Sequence, residues 1–215
     1  MSNTVVVVDY GIGNVFSVCN ALTQIDADVE LTRDPQKVMN ADRLILPGVG
    51  AFARAKEALD DLGVADLLRR YRETERPFLG ICIGMQLLME RSEEFGAHEG
   101  LGFFPGRVTR IVETSETDVR VPHISWAPLT PGPAMSRSDW DGTPLENVSP
   151  GKETVYYVHS YHCEPENDAH ILAQSDYGGH TITAALRQDN LFGAQFHPER
   201  SGKVGQRVLK SFMAM

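Results

Sequence analysis

The chain has 215 residues with 20 Lys and Arg against 29 Asp and Glu, a formal net charge of −9, and its basic residues are scattered. That balance excludes nucleic acid and anionic membrane as the main partners, and no apolar run is long enough to span a bilayer. An apolar fraction of 42% and a charged fraction of 23% suit one globular core, so a single domain over 1–215 is expected, and the three widely spaced cysteines, Cys19, Cys82 and Cys163, fit a reducing cytoplasm better than a disulfide framework.

The first stretch, Thr4 to Val8, is a β-branched run of the kind found in strands buried on both faces, too short and without the basic lead-in for a signal peptide. It stops at Asp9-Tyr10-Gly11-Ile12-Gly13-Asn14, and Val15 to Ile25 reads as a helix. Phe16 stands where a dinucleotide-binding loop needs its third glycine, so a Rossmann cofactor site is not expected. Val29 to Leu31 is a short strand, Pro35 opens a helical turn, and Arg43 to Leu46 is a third strand. Pro47-Gly48-Val49-Gly50-Ala51-Phe52 then leads into a helical segment predicted over Phe52 to Tyr71. A glycine-rich strand-to-helix loop can be merely a tight turn; it also leaves backbone N–H groups free to face an anion, including a developing oxyanion.

Phe78 to Ile81 reads as a buried strand, followed by Gly80-Ile81-Cys82-Ile83-Gly84 and the helix formers Met85 to Met89. This is a nucleophile elbow with cysteine in the serine position: a sharp strand-to-helix turn that lifts one side chain above the sheet. A helix N-terminus would favour the thiolate. A small apolar cysteine at a strand–loop junction is the plainer reading. The βαβαβα order to this point predicts a doubly wound, largely parallel sheet. After Glu90 the character changes: strands near Val108–Ile111, Val155–Tyr161, Ile171–Gln174, Ile182–Arg187 and Leu191–Phe196, joined by Gly/Pro/Asp-rich turns, imply antiparallel additions in the C-terminal half. Residues 127 to 152 read as a surface loop, and the segment after Ser201 as a closing helix.

A thiol nucleophile needs a base, and the base an orienting group. Of the seven histidines, His197 stands at the end of an apolar strand in Gln195-Phe196-His197-Pro198-Glu199. Pro198 favours an extended His197, so Glu199 can lie beside the imidazole, fix its tautomer and stabilise its charged form. A polar strand end with solvated His and Glu would look the same in isolation. His159-Ser160-Tyr161-His162-Cys163 raises a structural metal as an alternative, but His159 and His162 face opposite sides of a strand, so no metal is expected.

These residues together resemble the class I (triad) glutamine amidotransferases over essentially the whole chain, through Gly80 to Gln86, Pro47 to Phe52, Val158 to Tyr161 and Gln195 to Gly202. Within that class, Asp9 to Asn14 and Pro47-Gly48-Val49-Gly50 resemble the glutaminase subunits of imidazole glycerol phosphate synthases. The resemblance implies a Cys82–His197–Glu199 triad, oxyanion donors at Val49 and Ile83, and glutamine held by Gly50, Gln86, Ser160 and Tyr161, with no cofactor. It implies that ammonia from glutamine passes to a (β/α)8-barrel cyclase partner in histidine biosynthesis, with Asn14, Trp126 and Tyr157 on the partner-facing side. Where such subunits usually read His-x-Gly-Trp-Asn, this chain has His123-Ile124-Ser125-Trp126-Ala127. That departure leaves open a paralogous glutaminase feeding a sugar-modifying synthase of surface-polysaccharide pathways, beside a stand-alone γ-glutamyl hydrolase.

Overall fold

Thr4–Val8 forms strand β1, and its last four residues are buried, as a parallel strand between two helix layers requires. The computed structural model describes residues 4–112 and 119–215. Helix α1 (Val15–Thr23), edge strand β2 (Asp28–Thr32), helix α2 (Pro35–Asn40) and strand β3 (Arg43–Leu46) follow. Asp34 caps α2, its carboxylate accepting from the Gln36 and Lys37 N–H groups, and Pro35 sits where a helix has no use for an N–H donor. The helix predicted over Phe52 to Tyr71 is two, α3 (Phe52–Asp61) and α4 (Val64–Arg72), because Gly63 takes a left-handed conformation at φ +66° and turns the chain. Apolar spacing persists across the break, which is why the pattern reads as one element. Strand β4 (Phe78–Ile81) is wholly buried and runs into the five-residue helix α5 (Ile83–Leu87).

The second half supplies β5 (Met89–Ser92), β6 (His98–Glu99), β7 (Phe104–Arg110), β8 (His123–Pro128), β9 (Thr130–Pro131), β10 (Thr154–His159), β11 (Tyr161–Pro165), β12 (Ile171–Tyr177), β13 (His180–Gln188), β14 (Leu191–Ala194) and the closing helix α6 (Gly202–Met213). Among the described residues the main sheet has the order β2-β1-β3-β4-β14-β13-β12-β9. It is parallel from β2 to β14 and antiparallel from there to β9. This is the α/β architecture the sequence predicts, with antiparallel additions at one edge. A smaller sheet, β11-β7-β5-β6, and the pair β8–β10 stand beside it.

Two further expectations change. The single strand read over Val155 to Tyr161 breaks at Ser160: β10 pairs with β8 while β11 pairs with β7, so the chain passes from one sheet to another. Residues 127–152 are not merely a surface loop. Thr130 and Pro131 pair with β12, Leu129, Trp140, Leu145 and Val148 are buried, and the Trp140 indole N–H donates to the Leu172 carbonyl at 2.9 Å. Pro, Gly and Ser hide this anchoring because the segment is held by single side chains rather than by a periodic face. No helix among the described residues is long and apolar enough to cross a membrane.

Removing the anchor tests that packing. Trp140→Ala should lower the unfolding free energy by about 3–5 kcal/mol in urea titration, the usual cost of deleting a buried indole. A loss below about 1 kcal/mol would mean that residues 127–152 rest on the sheet without supporting it.

Candidate active site

The site is built where β4, β14 and β3 meet. Cys82 adopts φ 56° and ψ −114°, a conformation a residue with a side chain rarely takes, and it is pinned there. Its N–H donates to the Ala194 carbonyl at 2.7 Å, and its carbonyl accepts from the Gln86 N–H at 3.1 Å. The flanking glycines are sterically required. A Cβ on Gly84 would come within 1.9 Å of the Leu46 carbonyl oxygen, and one on Gly80 within 2.6 Å of the Gly84 carbonyl oxygen. The helix that follows spans only Ile83–Leu87, so its dipole lends the thiolate little; the charge on sulfur depends on a base.

That base is His197, which leaves β14 through Gln195 and Phe196. Its N–H donates to the Tyr156 carbonyl at 2.9 Å, tying it to β10. His197 is extended, as the sequence predicts, but Pro198–Arg200 then form a short 3-10 turn. The turn brings the Glu199 carboxylate to 2.8 Å from His197 Nδ1, with both side chains almost fully buried. Nε2 is buried and has no hydrogen-bond partner among the described residues. Burial is the largest single influence on the imidazole and favours its neutral form. The Cys82 sulfur and the Glu199 carboxylate together outweigh burial and lift the imidazole to about 10.

A cavity of about 270 Å³ opens over Cys82 and His197. Val49, Gly50, Ile83, Gln86, Ser160 and Tyr161, all singled out from the sequence, line it. Its size suits a ligand smaller than a drug molecule, such as one amino acid. The loop after β3 lies directly on the elbow, because a Cβ on Gly48 would meet Gly84 N at 2.7 Å. Gly50 is at φ +89° with open space where a Cβ would stand. Both ends of this loop are held: Tyr10 Oη donates to the Pro47 carbonyl at 2.8 Å, and the Glu94 carboxylate accepts from the Phe52 N–H at 2.5 Å.

Glu94 and Gln195 escaped the sequence reading. Glu94 is a buried carboxylate on the cavity wall, in a stretch with no periodic signal. Gln195 is fully buried, accepts from Gln86 Nε2 at 3.0 Å and directs its own Nε2 to Cys82 Sγ at 3.9 Å. Strand alternation, which puts Gln195 on the side of His197, was the available clue.

The residues expected on the partner-facing side divide. Asn14 is exposed at the start of α1, and Trp126 is 52% exposed beside Ile124. Tyr157, in contrast, is fully buried with its hydroxyl 2.7 Å from Ser175 Oγ, so it offers a partner no surface; its strand neighbour Tyr156 packs edge-on against Trp126 instead. Ala127 is also buried, opposite Val155. The departure at position 127 therefore lies on the inward face of β8, whereas Ser125, which stands where such subunits usually have glycine, is half-buried between Ile124 and Trp126.

Residues 6–215 match the family model described as glutamine amidotransferase class-I. The chain is 39% identical over 213 residues to imidazole glycerol phosphate synthase subunit HisH 1 of Legionella pneumophila (strain Lens), covering 98% of this chain and 99% of that protein. It is 43% identical over 213 residues to the chloroplastic imidazole glycerol phosphate synthase hisHF of Arabidopsis thaliana, covering 98% of this chain and 34% of that one. Among solved structures it resembles that of PurLQS from Thermotoga maritima, with a TM-score of 0.72 and 20% identity over 100% of this chain and 99% of the other.

The raised imidazole has a stability signature. The His197 value is lifted from an ordinary 6.5 to about 10, so the favourable charge is fully present below about 6.5 and is lost as pH climbs through about 10. Wild-type unfolding free energy should fall across that window, and His197→Phe should not share the fall. Cys82→Ser, which cannot form a thiolate, should narrow it. Parallel curves for all three proteins would refute the ion pair.

Proposed function

Because the chain belongs to the class-I glutamine amidotransferase family, we propose that it is the glutaminase subunit of an imidazole glycerol phosphate synthase, one domain over 1–215 acting in the cytoplasm on glutamine. The observation that carries this reading is the conjunction of a strained Cys82 elbow with the buried His197–Glu199 pair at one cavity sized for an amino acid. Cys82 Sγ attacks the carboxamide carbon of glutamine as His197 Nε2 takes the thiol proton, and Glu199 steadies the imidazolium through Nδ1. The oxyanion of the tetrahedral intermediate is met by the Ile83 N–H and, after rotation of the Gly48–Val49 peptide, by the Val49 N–H. His197 returns the proton to the leaving nitrogen, ammonia departs, and water activated by the same imidazole cleaves the γ-glutamyl thioester to glutamate.

The lining supports glutamine as the substrate. Gln86 Oε1 is buried without a partner and suits a substrate N–H, while Gly50, Ser160 and Tyr161 frame the amino-acid end. Among the described residues lining the cavity, Glu94 is the one carboxylate outside the triad and is the natural partner for an ammonium group.

Ammonia released here needs a protected destination. Val49 on the cavity wall is exposed, and so are Phe16 of α1 and Ile124 and Trp126 of β8, with Asn14 two residues before Phe16. Exposed apolar side chains suit a large, stable partner, which we take to be the (β/α)8-barrel cyclase subunit. The Arabidopsis synthase, only 34% of which this chain covers, is one polypeptide with ample length for a second activity.

Two measurements test the division of labour. Cys82→Ala should abolish glutamate production while the complex with the cyclase still turns over its nucleotide substrate with added ammonium; loss of the ammonium-dependent reaction would give Cys82 a structural role instead. His197→Ala should lower glutamine turnover by about 10²–10⁴-fold and Glu199→Gln by less, because fixed geometry partly replaces an orienter. Equal losses would contradict the assigned roles.

A further inference from the structure

Beyond the triad, a chain of buried and part-buried hydrogen bonds begins on β8. Ser125 Oγ lies 2.7 Å from His123 Nε2, His123 Nδ1 lies 3.0 Å from His159 Nε2, and His159 Nδ1 lies 2.9 Å from the Tyr161 carbonyl oxygen. That carbonyl also accepts from Gln86 Nε2 at 2.9 Å, and the same amide donates to Gln195 Oε1, whose residue reaches the Cys82 sulfur. His123, His159, Gln86 and Gln195 are all buried.

The direction of every bond is determined. A carbonyl oxygen only accepts, so His159 carries its proton on Nδ1. Burial, the largest influence on both rings, holds them neutral, His159 at about 3 and His123 at about 4. His159 Nε2 is therefore a lone pair that accepts from His123 Nδ1–H, and His123 Nε2 accepts from the Ser125 hydroxyl. The His123 ring has little freedom, being stacked 3.8 Å from Tyr177 and 4.8 Å from Tyr157 between ring centroids.

At the inner end, both bonds of the Gln86 amino group are spent on Tyr161 and Gln195, which turns Gln86 Oε1, buried and unpartnered, toward the incoming substrate. At the outer end, β8 exposes Ile124 and Trp126 on either side of Ser125. A shift of β8 moves His123, then its strand-pair neighbour His159, then the carbonyl on which Gln86 depends.

We propose that His123 and His159 are positioning residues for glutamine, carrying the placement of the partner-facing strand β8 through the Tyr161 carbonyl to Gln86. The inference rests on the reading of β8 as partner-facing and adds the path from that face to the substrate.

Three variants separate the links. His123→Phe keeps the stack between the tyrosines but gives His159 no donor. His159→Asn retains a donor for the Tyr161 carbonyl and breaks the link to His123. His159→Phe removes both bonds. Glutamine kcat and KM are measured with the isolated chain and with the cyclase partner and its nucleotide ligand present, alongside partner affinity and melting temperature. His159→Phe should raise KM about 10-fold with a smaller change in kcat, as expected when the Tyr161 carbonyl loses its His159 donor, and His159→Asn should restore most of that KM. His123→Phe and His159→Asn should both reduce stimulation by the partner without weakening its binding.

Unchanged KM and stimulation, with only the melting temperature lowered, would overturn the proposal. If wild type itself shows no stimulation, the partner reading fails, while the KM effect of His159→Phe in the isolated chain still judges the inner links. Should His159→Phe not fold, ¹⁵N spectra of histidine-labelled wild type decide the matter. Two neutral rings protonated at Nδ1 support the relay, and a charged or Nε2-protonated His159 refutes it.

Discussion

The close approach of three backbone segments at the elbow is the constraint from which the site follows. Leu46 ends β3, Gly80 lies in β4 and Gly84 in α5, and a Cβ on Gly84 would come within 1.9 Å of the Leu46 carbonyl oxygen. No side chain fits there, so the turn can be this tight, and only so tight a turn holds Cys82 at positive φ. Strain of this kind costs roughly 1–3 kcal/mol and persists because the surroundings over-determine it. Here the parallel pairing of β4 with both β3 and β14 supplies that rigidity. The same contact brings the loop of Gly48, Val49 and Gly50 onto the nucleophile. One packing event therefore places the Cys82 sulfur and the glycine-rich loop after β3 side by side.

The polar groups around the sulfur are arranged by neutral as well as charged contacts. His197 and Glu199 form a pair whose value lies in the imidazolium state. Gln86, Gln195, His123 and His159 stay uncharged and serve by orientation. In a buried network each lost bond strands another polar atom, so such groups rigidify a pocket more than they stabilise a fold. The distinction separates residues that change protonation during turnover from residues that hold still while it happens.

How much of this was legible in the sequence depends on how locally each feature is encoded. Cys82 with its two glycines, the β-branched run of β1 and the His197-Pro198-Glu199 triplet carry their geometry within a few residues, and fold class and reacting groups follow from them. Gly63 misled because periodicity alone cannot reveal a left-handed turn within an amphipathic pattern. Tyr157 misled because strand alternation assigns its face only when the partner strand is known, and β8 was not foreseen. The anchoring of residues 127–152 by Trp140, and the arrival of Glu94 at the cavity, are long-range events with no local signature. Where function is concerned, the resemblance added substrate and partner, which no spacing rule contains.

The alternation along β8 has an evolutionary consequence. His123 and Ala127 point into the protein, while Ile124 and Trp126 point out. Mutations at the outward positions alter what the strand adheres to without disturbing what it supports, and inward mutations do the reverse. A duplicated copy of this subunit could thus acquire a different ammonia acceptor by rewriting every second residue of one strand, its hydrolytic chemistry carried along untouched. Ser125, half-buried between the two exposed residues and bonded to His123, is the position where the two sets of pressures meet.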